Sequence, residues 1–204
     1  METYIFETPV ATIIFLLTII TSIYAFNNAN IYGKLMLHPY SVAKKQNIYQ
    51  LITSGLIHKD WPHLIFNMLT YYFFAFNLER ILGHWQFAVV YVGSLILCDI
   101  PSINKHKNDF MYHSLGASGA VCGVLFSYIL FFPFTKLIIF PIPIPIPAVL
   151  YGGLFLLYSS YLAKKQNDNI NHDAHFYGAL SGIIITAILV PNSLVSFFEA
   201  LRGI

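Results

Sequence analysis

Six apolar stretches, at about 9–27, 61–82, 84–100, 114–133, 147–163 and 173–191, occupy most of this chain of 204 residues. A helix needs about 20 apolar residues to cross a bilayer's hydrocarbon core, and in lipid it must satisfy its own backbone. Charged residues make up only 10% of the chain, against about 25% in an ordinary soluble domain. The expectation is an all-α polytopic membrane protein: six transmembrane helices in one domain spanning 1–204, with the lipid bilayer as solvent. The net charge of +2 is too small to suggest a nucleic-acid partner.

The connectors are short and polar, as at 104–109 and 164–169, with two exceptions. Residues 28–60 form a long mixed loop carrying Tyr32, Tyr40 and Tyr49, suited to lying partly in the membrane interface. Pro141, Pro143, Pro145 and Pro147 alternate with isoleucine, a pattern that cannot be helix because each proline removes an amide donor. It reads as an extended connector that starts the fifth span at Pro147. The first stretch has only Glu2 and Glu7 as charged neighbours, so it lacks the basic flank of a signal peptide and reads as a retained span. Cys98 and Cys122 fall within apolar runs and read as small buried hydrophobes.

Against this background a few polar residues stand out. Ser118 lies in Gly116-Ala117-Ser118-Gly119, at the mouth of the fourth stretch, with glycines stripping steric cover from its hydroxyl. His175 opens the sixth, and His63 and Asn67 lie four apart near the start of the second, on one helix face. Helices two, four and six cross in the same direction, so their starts share one side of the bilayer. At about 1.5 Å per residue, Ser118 is expected roughly 6–8 Å inside its span. Gly119 with Gly123, and Gly178 with Gly182, are pairs of small residues that let two helix backbones approach closely. Packed together, these faces would bring Ser118 to His175.

That set suits peptide hydrolysis, which needs an activated nucleophile, a proton shuttle and donors for the developing oxyanion. Ser118 is the candidate nucleophile and His175 the base. The Ser118 amide, the Asn67 carboxamide and His63 are the candidate oxyanion donors. Asp173, two residues from His175, would point elsewhere on a helix and reads as a surface residue of a helix start, so a dyad is expected rather than a triad. His58 and His172 read as loop or interface residues, and Glu79-Arg80 as a helix-end anchor or ion pair. A metal site built from His58, His63, His172 and His175 lacks an HExxH pattern and any acidic ligand cluster.

From about Gln50 to Leu189 the chain resembles the rhomboid family of intramembrane serine proteases, in its bacterial-type six-helix form. The segment from His58 to Asn67 is similar to the family's histidine-plus-asparagine motif, and Glu79 with Gly83 to the pair that closes that helix. Gly116-Ala117-Ser118-Gly119-Ala120 with Gly123 matches the nucleophile motif, and Ala174-His175-Phe176-Tyr177-Gly178 with Gly182 the base motif. The resemblance implies Ser118 as nucleophile, His175 as base, His63 and Asn67 around the oxyanion, transmembrane protein substrates, and neither metal nor cofactor. Two features depart from the pattern. Cys122 stands where the family often carries an aromatic stacked on the histidine, and the first loop has no Trp-Arg pair.

The resemblance also implies the inner membrane of a bacterium, with the site facing outside and both termini in the cytoplasm. Lysine and arginine counting points the other way. Lys34, Lys44, Lys45, Lys59, Lys105, Lys107, Lys164 and Lys165 fall on the site side, against Arg80, Lys136 and Arg202 opposite. The competing function is an inactive rhomboid-like protein that binds spanning helices for quality control; intact Ser118 and His175 argue against it.

Overall fold

The structure, a computed structural model, describes residues 6–139, 142–165 and 170–203. Glu2, Pro141 and residues 166–169, named above, lie outside the described residues. The long elements are α1 (Pro9–Phe26), α5 (Trp61–Leu82), α6 (His84–His106), α7 (Ser118–Phe131), α8 (Ala148–Lys165) and α9 (His172–Leu189). Three short helices, α2 (Ala29–Leu35), α3 (Pro39–Ala43) and α4 (Gln50–Thr53), organise the first loop, and α10 (Asn192–Arg202) bends back from α9 by 109°.

By length and composition α1 and α6 are each sufficient to cross a membrane, and α9 with α10 joins them if that bent pair is one span. α7 is apolar but has only 14 residues, roughly 21 Å of helix, well short of a hydrocarbon core. Its neighbours α5 and α6 have 22 and 23.

Local chemistry sets the boundaries. Asp60 caps α5 by accepting the His63 amide at 2.8 Å, with Pro62 in the first turn. Gly83, at φ 86°, turns the chain into α6 through a backbone conformation that residues with a Cβ rarely adopt. α9 starts from Asn171, whose side chain accepts the Ala174 amide at 3.1 Å and donates to Ser102 of α6 at 2.8 Å.

The core lies between α1, α5, α6 and α7, around Tyr71, Leu78, Phe87, Val90 and Val124. α9 packs on both α6 and α7. Glu79, fully buried, accepts the amides of Val10 at 3.1 Å and Ala11 and the Nδ1 of His84 at 2.7 Å. It thus satisfies the first-turn donors of α1 and ties that helix to α5. Arg80 pairs instead with Glu7, at 3.0 Å. α8 is the most lightly held long helix, burying only Ala148, Gly152 and Ser159.

Two expectations need correction. The fold is mostly helical but not all-α: β1 (Lys136–Ile139) and β2 (Ile142–Pro147) pair antiparallel, and α8 begins at Ala148 rather than Pro147. Alternate prolines are compatible with a two-stranded ladder, because every second residue faces the open edge and needs no donor. Residues 114–117 are not helix, so Ser118 is the first residue of α7 rather than one buried part-way along it. The first loop is also tied to the approach to α7: Leu37 and Ser114 exchange backbone hydrogen bonds of 2.9 and 3.0 Å, and Gly116 donates to the Ser54 carbonyl at 2.9 Å. These bonds pin the approach to Ser118.

Candidate active site

Ser118 owes its exposure to the turn that precedes it. Gly116 has φ 120°, and a Cβ there would stand 2.7 Å from His63 Cε1 and 3.0 Å from its Nε2. The glycine is therefore required twice, by its conformation and by the imidazole lying against it. Two residues on, the Ser118 side chain projects from the first turn of α7, where backbone amides lack partners within the helix. Its Oγ stands 2.8 Å from His175 Nε2.

Glycine contacts bring the two helices together. A Cβ on Gly178 would stand 2.8 Å from the carbonyl carbon of Gly119 and nearer still to its oxygen. One on Gly182 would meet Gly123 in the same way, at 2.6 Å from its carbonyl carbon. Gly119 and Gly123 in turn lie against Cys98 and Ser94 of α6, with no room for a side chain. Four glycines thus let α7 meet α9 at backbone contact and pack closely on α6 side chains.

His63, Asn67, Ser118 and His175 line one cavity of about 1000 Å³. Asn67 is buried and gives one amide hydrogen to the His63 carbonyl at 2.9 Å, which orients the carboxamide. His63 Nδ1 accepts the Lys59 amide at 3.4 Å, so that its Nε2 carries the ring proton. Asp173 is engaged with Lys105 at 2.9 Å. Among the described residues no group of three His, Cys, Asp or Glu stands close enough to hold a metal ion.

Two histidines were misread from sequence. His172 is the first residue of α9, buried, and meets the His175 ring edge-on at 6.0 Å. His58 is fully buried. Its Nδ1 donates to Ser22 Oγ at 3.0 Å, while Ser22 donates to the Leu56 carbonyl at 2.9 Å. That leaves Nε2 to accept the Ala117 amide at 3.4 Å, immediately before Ser118. Desolvation, helped by the neighbouring His63, pulls His58 down to about 3, which keeps it neutral and this acceptor available. Its place at the head of the motif segment His58 to Asn67 was the signal in the sequence.

The family model described as the Rhomboid domain matches residues 45–192, a span that contains all four cavity residues. The chain belongs to the rhomboid family. The relative named "Putative rhomboid protease YdcA", of Bacillus subtilis (strain 168), is 32% identical to this rhomboid over 146 residues, 71% of this chain and 68% of YdcA. The rhomboid protease AarA of Providencia stuartii is 25% identical over 177 residues, 72% of this chain and 62% of AarA. Rhomboid protein 1, mitochondrial, of Saccharomyces cerevisiae is 27% identical over 160 residues, 72% of this chain but 44% of the yeast protein. Family and apolar helices together make this rhomboid an integral membrane protein.

Proposed function

We propose that this rhomboid is an intramembrane serine endopeptidase that cleaves membrane-anchored proteins in or near their spanning segment. The helices α1, α5, α6, α7, α8 and α9 are read as its six spans, α7 being the short one, in one domain. The site is read as facing outward from a bacterial inner membrane. The observation that carries the reading is the 2.8 Å contact between Ser118 Oγ and His175 Nε2, at the wall of a cavity that also takes His63 and Asn67 into its lining. A hydroxyl and an imidazole are costly to keep there without a use.

The chemistry follows from the geometry. Neutral His175 accepts the Ser118 proton at Nε2 as Oγ bonds to the scissile carbonyl carbon. Negative charge develops on the carbonyl oxygen, with the Ser118 amide, the Asn67 carboxamide and His63 Nε2–H as its donors. His175 returns the proton to the departing amine, the C–N bond breaks, and an ester to Ser118 remains. Water, deprotonated by His175, hydrolyses that ester and frees the enzyme.

A fluorophosphonate probe tests this directly, since only an activated serine reacts. Labelling at Ser118, together with cleavage of a purified transmembrane substrate, is expected. Substrate binding with neither labelling nor cleavage would establish the binding-only alternative.

A further inference from the structure

α7 and α9 run parallel. Gly119 meets Gly178, Gly123 meets Gly182 and the Ser127 hydroxyl meets that of Thr186, each pair fifty-nine residues apart. Both helices therefore leave the bundle at the end opposite Ser118 and His175, where β1–β2 and α10 follow them. These two elements share one footing: Leu137 of β1 and Phe197 of α10 pack on the cluster of Leu125, Phe126 and Ile129. The base of the hairpin is pinned by the Ala148 and Val149 amides, which donate to the carbonyls of Thr135 and Pro133 at 2.9 and 2.8 Å.

Beyond that footing both elements present open apolar side chains. Ile138 and Ile144 of the hairpin are 68% and 63% exposed, and Val195 and Phe198 of α10 are each 54% exposed. α10 turns 109° from α9, so where α9 crosses a bilayer α10 runs along its surface. Its sides are sorted for that. Ser193 and Phe197 face the bundle, Val195 and Phe198 are open like Ile188 at the end of α9, and Asn192, Ser196 and Glu199 form a polar stripe. Arg202 lies one turn past Phe198, on a stem long enough to carry its charge to phosphate. In β2 the prolines matter as much. The register pairs Ile146 with Leu137 and Ile142 with Ile139, so Pro143 and Pro145 take amide donors off the strand's unpaired side. Lipid then strands no N–H there. Their carbonyls still need donors, which water and headgroups supply at the interface and hydrocarbon does not.

We propose that the β1–β2 hairpin and α10 form a membrane foot, seating Ile138, Ile144, Val195 and Phe198 at the boundary between phospholipid headgroups and acyl chains. The foot lies on the face opposite Ser118, and the proposal rests on α7 and α9 as spans rather than on chemistry at the dyad.

The whole protein in phosphatidylcholine vesicles carries the test. Ile138→Cys, Ile144→Cys and Phe198→Cys are each tagged with a nitroxide, with Ser196→Cys as the contrast and the unmutated protein, whose Cys98 and Cys122 are buried, as the blank. Collisions with oxygen, which concentrates in lipid, and with a nickel chelate confined to water give the depth of each tag. The three apolar positions should favour oxygen and lie about 5–10 Å below the phosphates, whereas Ser196 should favour the chelate. Each position is exposed and is replaced singly, so the loss of one variant leaves the others to decide. Preference for the chelate at any of the three would overturn the proposal, because the foot would stand in water. Shielding from both reagents would overturn it too, by putting a second copy or another protein on this face.

Discussion

Replacing Gly178 by alanine, and more severely by valine, should abolish most of the activity while leaving every polar group of the site in place. The new Cβ would stand 2.8 Å from the carbonyl carbon and 2.9 Å from the Cα of Gly119, and closer still to the carbonyl oxygen. Ordinary contact between carbons needs about 3.5–4.0 Å, and a helix backbone cannot swing aside as a side chain can. The helices must therefore part by about 1 Å. His175 lies one turn before Gly178 on the same helix, so much of that movement reaches the 2.8 Å contact with Ser118. Near 3.8 Å it would no longer be a hydrogen bond. A misplacement of that size costs on the order of 100-fold in rate, and overpacking costs about 1–3 kcal/mol of stability. Turnover of a transmembrane substrate and thermal unfolding in detergent measure the two effects. Gly178→Val should lower both, whereas Ser118→Ala should lower activity alone. Near-normal turnover by Gly178→Val would refute the view that glycine contact between α7 and α9 sets the geometry of the pair.

Ser118→Ala and His175→Ala should each abolish cleavage, and the double variant should be little worse than either, since a catalytic pair acts as a unit; kinetics on all three decide it. Asn67→Ala and His63→Ala should lower kcat by roughly 10- to 1,000-fold with little change in KM, as expected for oxyanion donors. Glu79→Ala should cost about 2–4 kcal/mol in thermal unfolding, because it strands the amides of Val10 and Ala11. His58 gains its proton near pH 6.5 when unfolded but only at about 3 when folded, so the unfolded state binds more protons between these values. Stability is therefore lost as pH falls below about 6.5, by on the order of 2 kcal/mol at pH 5. A His58→Gln variant should show a flatter unfolding-temperature profile over that range.

The polar residues of the cavity were legible because lipid makes them conspicuous: a serine flanked by glycines and histidines at the starts of apolar runs carry a cost that ordinary packing does not explain. Their distances were not legible, since each depends on two helices docking. His58 looked like a loop residue because no local pattern shows that Ser22, thirty-six positions earlier, and Ala117, fifty-nine later, close around it. The length of α7 was overread for a similar reason. Residues 114–117 are apolar enough to extend a helix, but their backbone bonds go to Leu37 and Ser54. The β1–β2 hairpin escaped because the prolines excluded helix without naming a partner strand.

Sequence by itself determined the membrane class, the family and which polar residues stand out in apolar runs, because hydrophobicity, charge and short motifs are local properties. Glycine spacing also marked which two faces could meet. Tertiary structure alone decided that Ser118 begins a short helix rather than sitting inside a long one, and that Glu79 holds α1. It also decided that the rings of His172 and Phe155 both lie against His175. These are contacts between segments. They depend on how backbones pack, and no single stretch of sequence carries that information.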